Sequence, residues 1–83
     1  MMDINYELYK VFYHVATTLN FSEASKQLFI SQSAVSQSIK TLERKLDQTL
    51  FIRSTKKVQL TPEGEILLRH IEPAMNLIQK GEA

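Results

Sequence analysis

The chain has 83 residues, 43% of them hydrophobic, and a formal net charge of +1, which fits one globular domain and excludes a disordered or low-complexity segment. It contains no cysteine, so disulfide bonds, cysteine-ligated zinc and a thiol nucleophile are excluded. No unbroken apolar run exceeds three residues, so neither a membrane span nor a signal peptide is predicted, and we expect a cytoplasmic protein.

Positive charge is concentrated in the middle of the chain. Residues 1–21 carry a net charge of −1, and residues 61–83 carry −2. Residues 22–60 carry seven cations against three carboxylates, a net charge of +4. An anionic partner for the central region is one interpretation of this pattern, and ordinary solvated charge is the other.

Two helices are predicted in the first 29 residues. In the first, at about residues 5–19, apolar side chains recur at helical spacing and form one stripe. The members of this stripe are Leu8, Val11, Phe12, Val15, Ala16 and Leu19. A short second helix is predicted from an N-cap at Ser22 to about Leu28 or Phe29, with Glu23 at its positive end.

A third helix is predicted over residues 32–46, with Ser31 as its N-cap. At helical periodicity its apolar residues fall on one side, namely Val35, Ile39, Leu42 and Leu46. The opposite side is polar and uncharged near the amino end and basic further along, with Gln32, Ser33, Ser36, Gln37, Lys40 and Arg44. Such a helix fits the major groove of DNA, where glutamine and serine meet base edges and cations meet phosphates. The alternative is the polar face of any amphipathic surface helix.

Two short strands are predicted next, at residues 50–53 and 58–60, joined by a turn without glycine. Together they form a basic hairpin that would lie beside the third helix. Its cations Arg53, Lys56 and Lys57 would then contact backbone phosphates or enter the minor groove. A solvated basic turn is the alternative interpretation.

The last helix is predicted to begin with Thr61 as its N-cap and Pro62 as its first residue. An apolar seam along it could pack on another helix, and comprises Gly64, Leu67, Leu68, Ile71, Ala74, Met75 and Ile78. Pro73 interrupts the pattern, and we expect a kink near residues 69–73 instead of a full break.

The second and third helices, with the tight connection between them, form a helix-turn-helix followed by a wing. These residues resemble the LysR family of bacterial transcriptional regulators. The resemblance is carried by the sequences FSEAS at residues 21–25, ISQSAVSQSI at 30–39, LE at 42–43, LF at 50–51 and LTPEG at 60–64. Single matches at Leu28, Leu46 and Arg53 add to it. It extends over about residues 3–78, nearly the whole chain.

The resemblance implies a mainly α fold. A winged helix-turn-helix domain would occupy residues 1–60, with the helix-turn-helix at 21–40 and the wing at 49–60. A long linker and dimerisation helix would follow at 61–83. It also implies a homodimer that binds an interrupted inverted repeat in double-stranded DNA, and higher assemblies of the full regulator are open. A separate carboxy-terminal effector domain that senses a small molecule would lie outside these residues, and we expect the chain to be the amino-terminal part of a longer regulator.

The expected site residues follow from motif positions in the resemblance together with the helix face. Base contacts are expected from Gln32, Ser33, Ser36 and Gln37. Phosphate and wing contacts are expected from Ser22, Ser31, Lys40, Arg44, Arg53, Lys56 and Lys57. Ser33 stands where many members of the family have proline, and Gln37 stands where arginine is frequent. The second departure favours adenine over guanine as the base read by residue 37.

Two other classes of function are considered against these residues: catalysis and binding of a protein partner. Catalysis is not expected, because His14 and His70 lack partners at metal-ligand spacing and no glycine-rich phosphate loop is present. No cofactor or metal is expected either. A winged helix that binds a protein partner, or only a second copy of itself, is the alternative to DNA binding. Salt dependence of DNA affinity separates the two, because phosphate contacts weaken steeply with ionic strength.

Overall fold

The computed structural model describes residues 5–82 and confirms a mainly α winged helix-turn-helix. Its elements follow the order α1 (Tyr6–Thr18), α2 (Phe21–Leu28), α3 (Gln32–Leu46), β1 (Phe51–Arg53), β2 (Val58–Leu60) and α4 (Pro62–Glu82). Helix α3 and strand β2 have the predicted bounds. Strand β1 is one residue shorter than predicted, because the amide of Leu50 donates a hydrogen bond to the side chain of Glu43 and not to the partner strand.

The ends of the first helices differ from the prediction. Helix α1 ends at Thr18, one residue before the predicted end, and its C-cap Leu19 takes a left-handed conformation with φ of 52°. The N-cap of α2 is Asn20, whose side chain accepts a hydrogen bond from the amide of Glu23 at 2.9 Å. The prediction of Ser22 as N-cap was therefore wrong, because an asparagine two residues earlier already supplies the cap and Ser22 lies inside the helix.

Three helices end without glycine. Leu19, Phe29 and Asp47 all have φ between 52° and 58°, a region that glycine normally occupies at helix ends. The amide of Phe29 is bonded to the carbonyl of Lys26, and the next amide, that of Ile30, to the carbonyl of Ser25. These bonds satisfy carbonyls at the end of α2, so α3 can begin after only three connecting residues.

A single apolar core lies between α1, α2, α3 and the start of the wing. Phe12, Val15, Val35, Leu42 and Leu50 are its largest fully buried side chains. Helices α1, α2 and α3 contribute the faces that their apolar periodicity indicated, except that Leu19 lies beyond the end of α1 and is exposed. Burying these side chains stabilises the folded state by roughly 25 cal/mol for each Å² of apolar surface that is removed from water. This is the main stabilising contribution in a domain this small.

The wing is an antiparallel hairpin in which Phe51 pairs with Leu60, Ile52 with Gln59 and Arg53 with Val58. Its four-residue turn closes through a hydrogen bond from the Ser54 amide to the Lys57 carbonyl. The Ser54 hydroxyl bonds the backbone of Lys57 twice more. Serine thus supplies the turn chemistry that the absence of glycine had left open.

Helix α4 begins as predicted and runs without a break through Pro73. The Thr61 hydroxyl accepts from the amide of Gly64 at 3.0 Å and donates to the carbonyl of Thr49 at 2.6 Å. The first half of α4 packs against the core through Leu67, Leu68 and Ile71. The predicted division into residues 1–60 and 61–83 remains a prediction about function, since packing continues across it.

Candidate nucleic-acid interface

The outer face of α3 is polar and accessible at its amino end. Gln32, Ser33 and Gln37 are exposed, whereas Ser36 is half-buried. Together with the exposed Lys40, residues 33, 36 and 37 line a shallow depression on this face. The structure therefore brings three of the four predicted base-contacting residues together, while Gln32, the first residue of α3, lines the cleft described below.

The amino end of α3 suits an anionic partner. Ser31 is the N-cap as predicted, and its hydroxyl accepts from the amide of Ala34 at 3.1 Å. No acidic residue lies in the first turn of α3, so the positive end of the helix dipole is not neutralised from within its own helix. Free amides at such an end are a favourable place for a phosphate.

Arg53 connects the wing with both helices of the helix-turn-helix. Its guanidinium carbon lies 4.0 Å from the centroid of the Phe21 ring, over the ring face. Its Nη1 donates a hydrogen bond to the Ser36 hydroxyl at 3.2 Å. The wing cation is thus held against the amino end of α2 and the outer face of α3, while the residue remains exposed.

A cleft of about 300 Å³ separates the amino end of α2 from the wing. Its walls combine residues that lie far apart in the sequence, namely Asn20, Ser22, Gln32, Arg53, Ser54, Lys56 and Lys57. Three of these carry positive charge, and none is acidic. The cleft therefore joins the polar end of α3 to a concentration of cations, an arrangement suited to a phosphate backbone.

The other predicted phosphate contacts lie on the same side or along α3. Ser22 lines the cleft but is only half exposed, because it lies within α2. Lys40 and Arg44 are exposed one and two turns further along the outer face of α3. Arg44 also lies in the last turn of α3, where a cation is favoured by the negative end of the dipole.

The predicted dimer seam on α4 needs correction. Gly64 and Met75 are buried within the single chain, so neither presents a surface to a partner. A Cβ atom on Gly64 would collide with the backbone oxygen of Leu50, which shows that the glycine allows a close approach inside the domain. Leu67, Leu68 and Ile71 are half-buried against the core, and only Ala74 and Ile78 of the seven residues are exposed.

A different apolar stripe on α4 faces outward. Ile66, His70, Pro73 and Leu77 follow at spacings of four, three and four residues, and all are exposed. Ile66 is 50% and Leu77 71% accessible to solvent. These four residues, bordered by Ala74 and Ile78, are referred to below as the outer stripe. The sequence predicted the dimer seam on the neighbouring face of α4, most of which packs against the core. A helix face that packs on its own domain and one that packs on a second chain have the same spacing of apolar residues, so the sequence did not separate them.

Several residues that position the site were not identified from the sequence as doing so. Phe21 provides the ring under Arg53, and Asn20 caps α2. The Glu43 carboxylate accepts from the amides of Leu50 and Phe51 at 2.7 and 3.3 Å, which fixes the start of the wing on α3. Aromatic spacing gave no signal for the first contact, and Glu43 looked like any charged residue on a helix surface.

Each of the two histidines makes a hydrogen bond to a helix of this domain. His14 Nδ1 lies 2.7 Å from the Gln27 side-chain oxygen and links α1 to α2, and His70 Nδ1 lies 2.9 Å from the carbonyl of Ile66 in its own helix. Within residues 5–82 no group of three or more histidine, aspartate or glutamate side chains is arranged to hold a metal ion. In the same range, none of the helices combines the length and apolar character needed to cross a membrane.

Comparisons with known proteins agree with this geometry. The family described as "Bacterial regulatory helix-turn-helix protein, lysR family" matches residues 6–65. The HTH-type transcriptional regulator PerR of Escherichia coli (strain K12) is 45% identical over 76 residues, which are 92% of this chain and 26% of PerR. The chain thus spans about a quarter of the length of the curated relatives it matches.

Two solved protein–DNA complexes have the same fold. The CbnR DBD–DNA complex has a TM-score of 0.84 and 26% identity, and the match covers 95% of this chain and 91% of that one. The complex of BenM DBD with catB site 1 DNA has a TM-score of 0.86 and 25% identity, and the match covers 93% of this chain and 86% of that one. Both matches extend over nearly all of each chain.

Proposed function

Because this chain belongs to the LysR family of bacterial regulatory helix-turn-helix proteins, we propose that it binds double-stranded DNA in a sequence-specific manner, as the DNA-binding part of a transcriptional regulator. The observation that carries the proposal is the continuous surface formed by the uncharged polar end of α3 and the cationic cleft beside it. The two structurally similar DNA complexes support the same function.

In the proposed complex α3 lies in the major groove. Gln37 and Gln32 offer amides that can donate and accept at the N6 and N7 positions of adenine, and Ser33 is short enough for close approach. Lys40 and Arg44 lie further along the same face and would meet the phosphates that border the groove. The neutral polar residues near the amino end of α3 would therefore read bases, and the cations further along the helix would bind the backbone.

The wing and the helix ends would hold the DNA backbone. Lys56 and Lys57 lie at the tip of the hairpin and line the cleft with Arg53. From there they reach a phosphate or the adjacent minor groove. The Ser31 end of α3 and Ser22 on α2 add neutral hydrogen-bonding groups near the same backbone.

We further propose that two copies associate through α4. The outer stripe supports this assignment, because it is exposed over three turns of helix and three of its four residues are apolar. Two such stripes packed against each other would bury Ile66, Leu77 and Ile78 from both chains, in the helix-on-helix manner of a coiled-coil seam. A dimer of this kind would present two copies of α3 to an interrupted inverted repeat.

The remaining functions belong to the whole regulator. Its relatives are named as transcriptional regulators and are about three and a half times as long as this chain. We propose that a carboxy-terminal domain outside these 83 residues binds a small-molecule effector and sets when the DNA-binding part acts.

Selection of bound sequences from random duplex DNA, followed by a salt titration on the selected duplex, tests the DNA proposal. We expect an enriched motif, and an affinity that falls linearly with the logarithm of salt concentration with a slope of several units. A mixed-sequence duplex of the same length is the control and should bind more weakly. No enriched motif, or an affinity that stays flat from low to moderate salt, would overturn DNA recognition and favour a protein partner.

A further inference from the structure

We propose that Phe21 is a positioning residue for DNA binding, which acts by fixing the guanidinium of Arg53 at the mouth of the cleft. This inference rests on the proposed function and adds a residue to it. Arg53 is exposed on a short edge strand. A long, charged side chain in that place normally samples many rotamers, and ordering it costs conformational entropy when a ligand binds.

The contact with Phe21 removes much of that freedom before DNA arrives. The guanidinium carbon lies 4.0 Å from the ring centroid, which is the geometry of a cation held over the electron-rich face of an aromatic ring. The ring itself cannot move away. Phe21 is 7% exposed, and its ring meets the Phe51 ring edge-on with centroids 6.3 Å apart.

A second contact sets the rotation of the guanidinium over that ring. Nη1 donates to the Ser36 hydroxyl at 3.2 Å. One of the five N–H donors of Arg53 is therefore used within the chain, which leaves four for a phosphate. The planar fork, held over the ring, keeps N–H donors free for hydrogen bonds to phosphate oxygens.

The same contact changes the role expected for Ser36. Its hydroxyl is half-buried and already bonded to the wing, whereas Ser33 and Gln37 are exposed beside it. Ser36 therefore acts on DNA through Arg53 and not by contacting a base edge. Through its contacts with Phe21 and Ser36, Arg53 connects the wing to α3. The position of the wing on the DNA backbone is therefore fixed relative to the helix that reads bases.

A double-mutant cycle on this chain tests the inference with a fluorescent mixed-sequence duplex as the probe. We expect Phe21→Leu to weaken duplex binding by about fivefold, and to lower the slope of affinity against salt by about one because one phosphate contact is lost. In an Arg53→Gln background the same substitution should change neither quantity. Ser36→Ala should give a smaller loss that is equal for all duplex sequences.

Phe12→Leu is the matched control. Phe12 is fully buried and packs against Phe51, so its replacement removes aromatic packing from the same cluster while the Phe21 ring keeps its contacts with Phe51 and Arg53. We expect this variant to be less stable to heat but to keep the salt slope of the unsubstituted chain. Equal slopes for the two leucine variants, or an undiminished effect of Phe21→Leu in the Arg53→Gln background, would overturn the inference.

An NMR measurement on the unsubstituted chain does not depend on how the variants fold. The side-chain protons of Arg53 next to the guanidinium should be shifted upfield by the ring current of Phe21. Ordinary shifts in the folded chain would overturn the inference. Duplex binding without coupling between residues 21 and 53 would overturn this inference alone, whereas absence of any duplex binding would remove the proposed function with it.

Discussion

Helices α3 and α4 each expose one face, and the two faces have opposite chemistry. The outer face of α3 carries serine, glutamine and then cations, whereas the outer stripe of α4 carries isoleucine, histidine, proline and leucine. Both helices bury an apolar face at the same spacing. The difference shows that periodicity identifies what faces the core. The composition of the opposite face separates the two helices: it is polar and cationic on α3, as DNA contact requires, and largely apolar on α4, as the proposed dimer requires.

Leu77→Asp should give the largest effect on association of two chains, since it places a charge in the outer stripe of α4. Leu77 is 71% exposed in one chain, and a symmetric dimer would bury it twice. Loss of both leucines should weaken association by about 3–6 kcal/mol, while the chain keeps its helical circular dichroism. Light scattering over a concentration series measures the dimer. Gln79→Asp, an exposed site on the same helix, is the control, and an unchanged mass for Leu77→Asp would contradict the outer stripe.

Gly64→Ala tests whether the buried side of α4 serves folding or association. The added methyl group would meet the backbone oxygen of Leu50 and the side chain of Leu60. We expect a loss of about 3 kcal/mol in the free energy of unfolding, measured by urea denaturation at a concentration where the chain is monomeric. Gly81→Ala adds a methyl group into open space and is the control. A stable Gly64→Ala monomer that no longer dimerises would restore the seam predicted from the sequence.

Gln37→Ala tests the polar face of α3. Removal of an amide that pairs with one base should lower discrimination at that base pair by about 1–3 kcal/mol and leave other positions unaffected. Competition between the selected duplex and its single-base variants measures this. The exposed Gln48, just beyond the end of α3, offers a matched Gln→Ala control. Equal losses on the selected and mixed-sequence duplexes would count against base reading by Gln37.

Lys56→Ala should give the smallest effect. It removes one exposed cation at the tip of the wing, so we expect about a threefold loss of affinity on every duplex and a decrease of about one in the salt slope. Fluorescence anisotropy at several salt concentrations gives both values. Lys80→Ala, at the far end of α4, is the control. A change in sequence preference without a change in slope would place Lys56 at a base.

Local signals in the sequence predicted most of the helix starts correctly. Ser31 and Thr61 followed by Pro62 give caps that depend only on the next three residues. The prediction of Ser22 failed because asparagine and serine can both cap a helix, and the side chain that accepts from the Glu23 amide is that of Asn20. The sequence did not predict the left-handed conformation of Leu19, Phe29 and Asp47, since glycine is the residue that normally indicates such a helix end.

The sequence by itself determined the fold class, the family resemblance and the polar surface of α3, because spacing and residue type suffice to say which face of a helix avoids water. Only the tertiary structure decided how distant residues meet. It placed Arg53 in contact with Phe21 and Ser36. It also buried Gly64 and Met75, whereas Ile66 and Leu77 lie exposed in the outer stripe. Such contacts depend on how helices and hairpin pack against one another, which the period within a single helix does not encode.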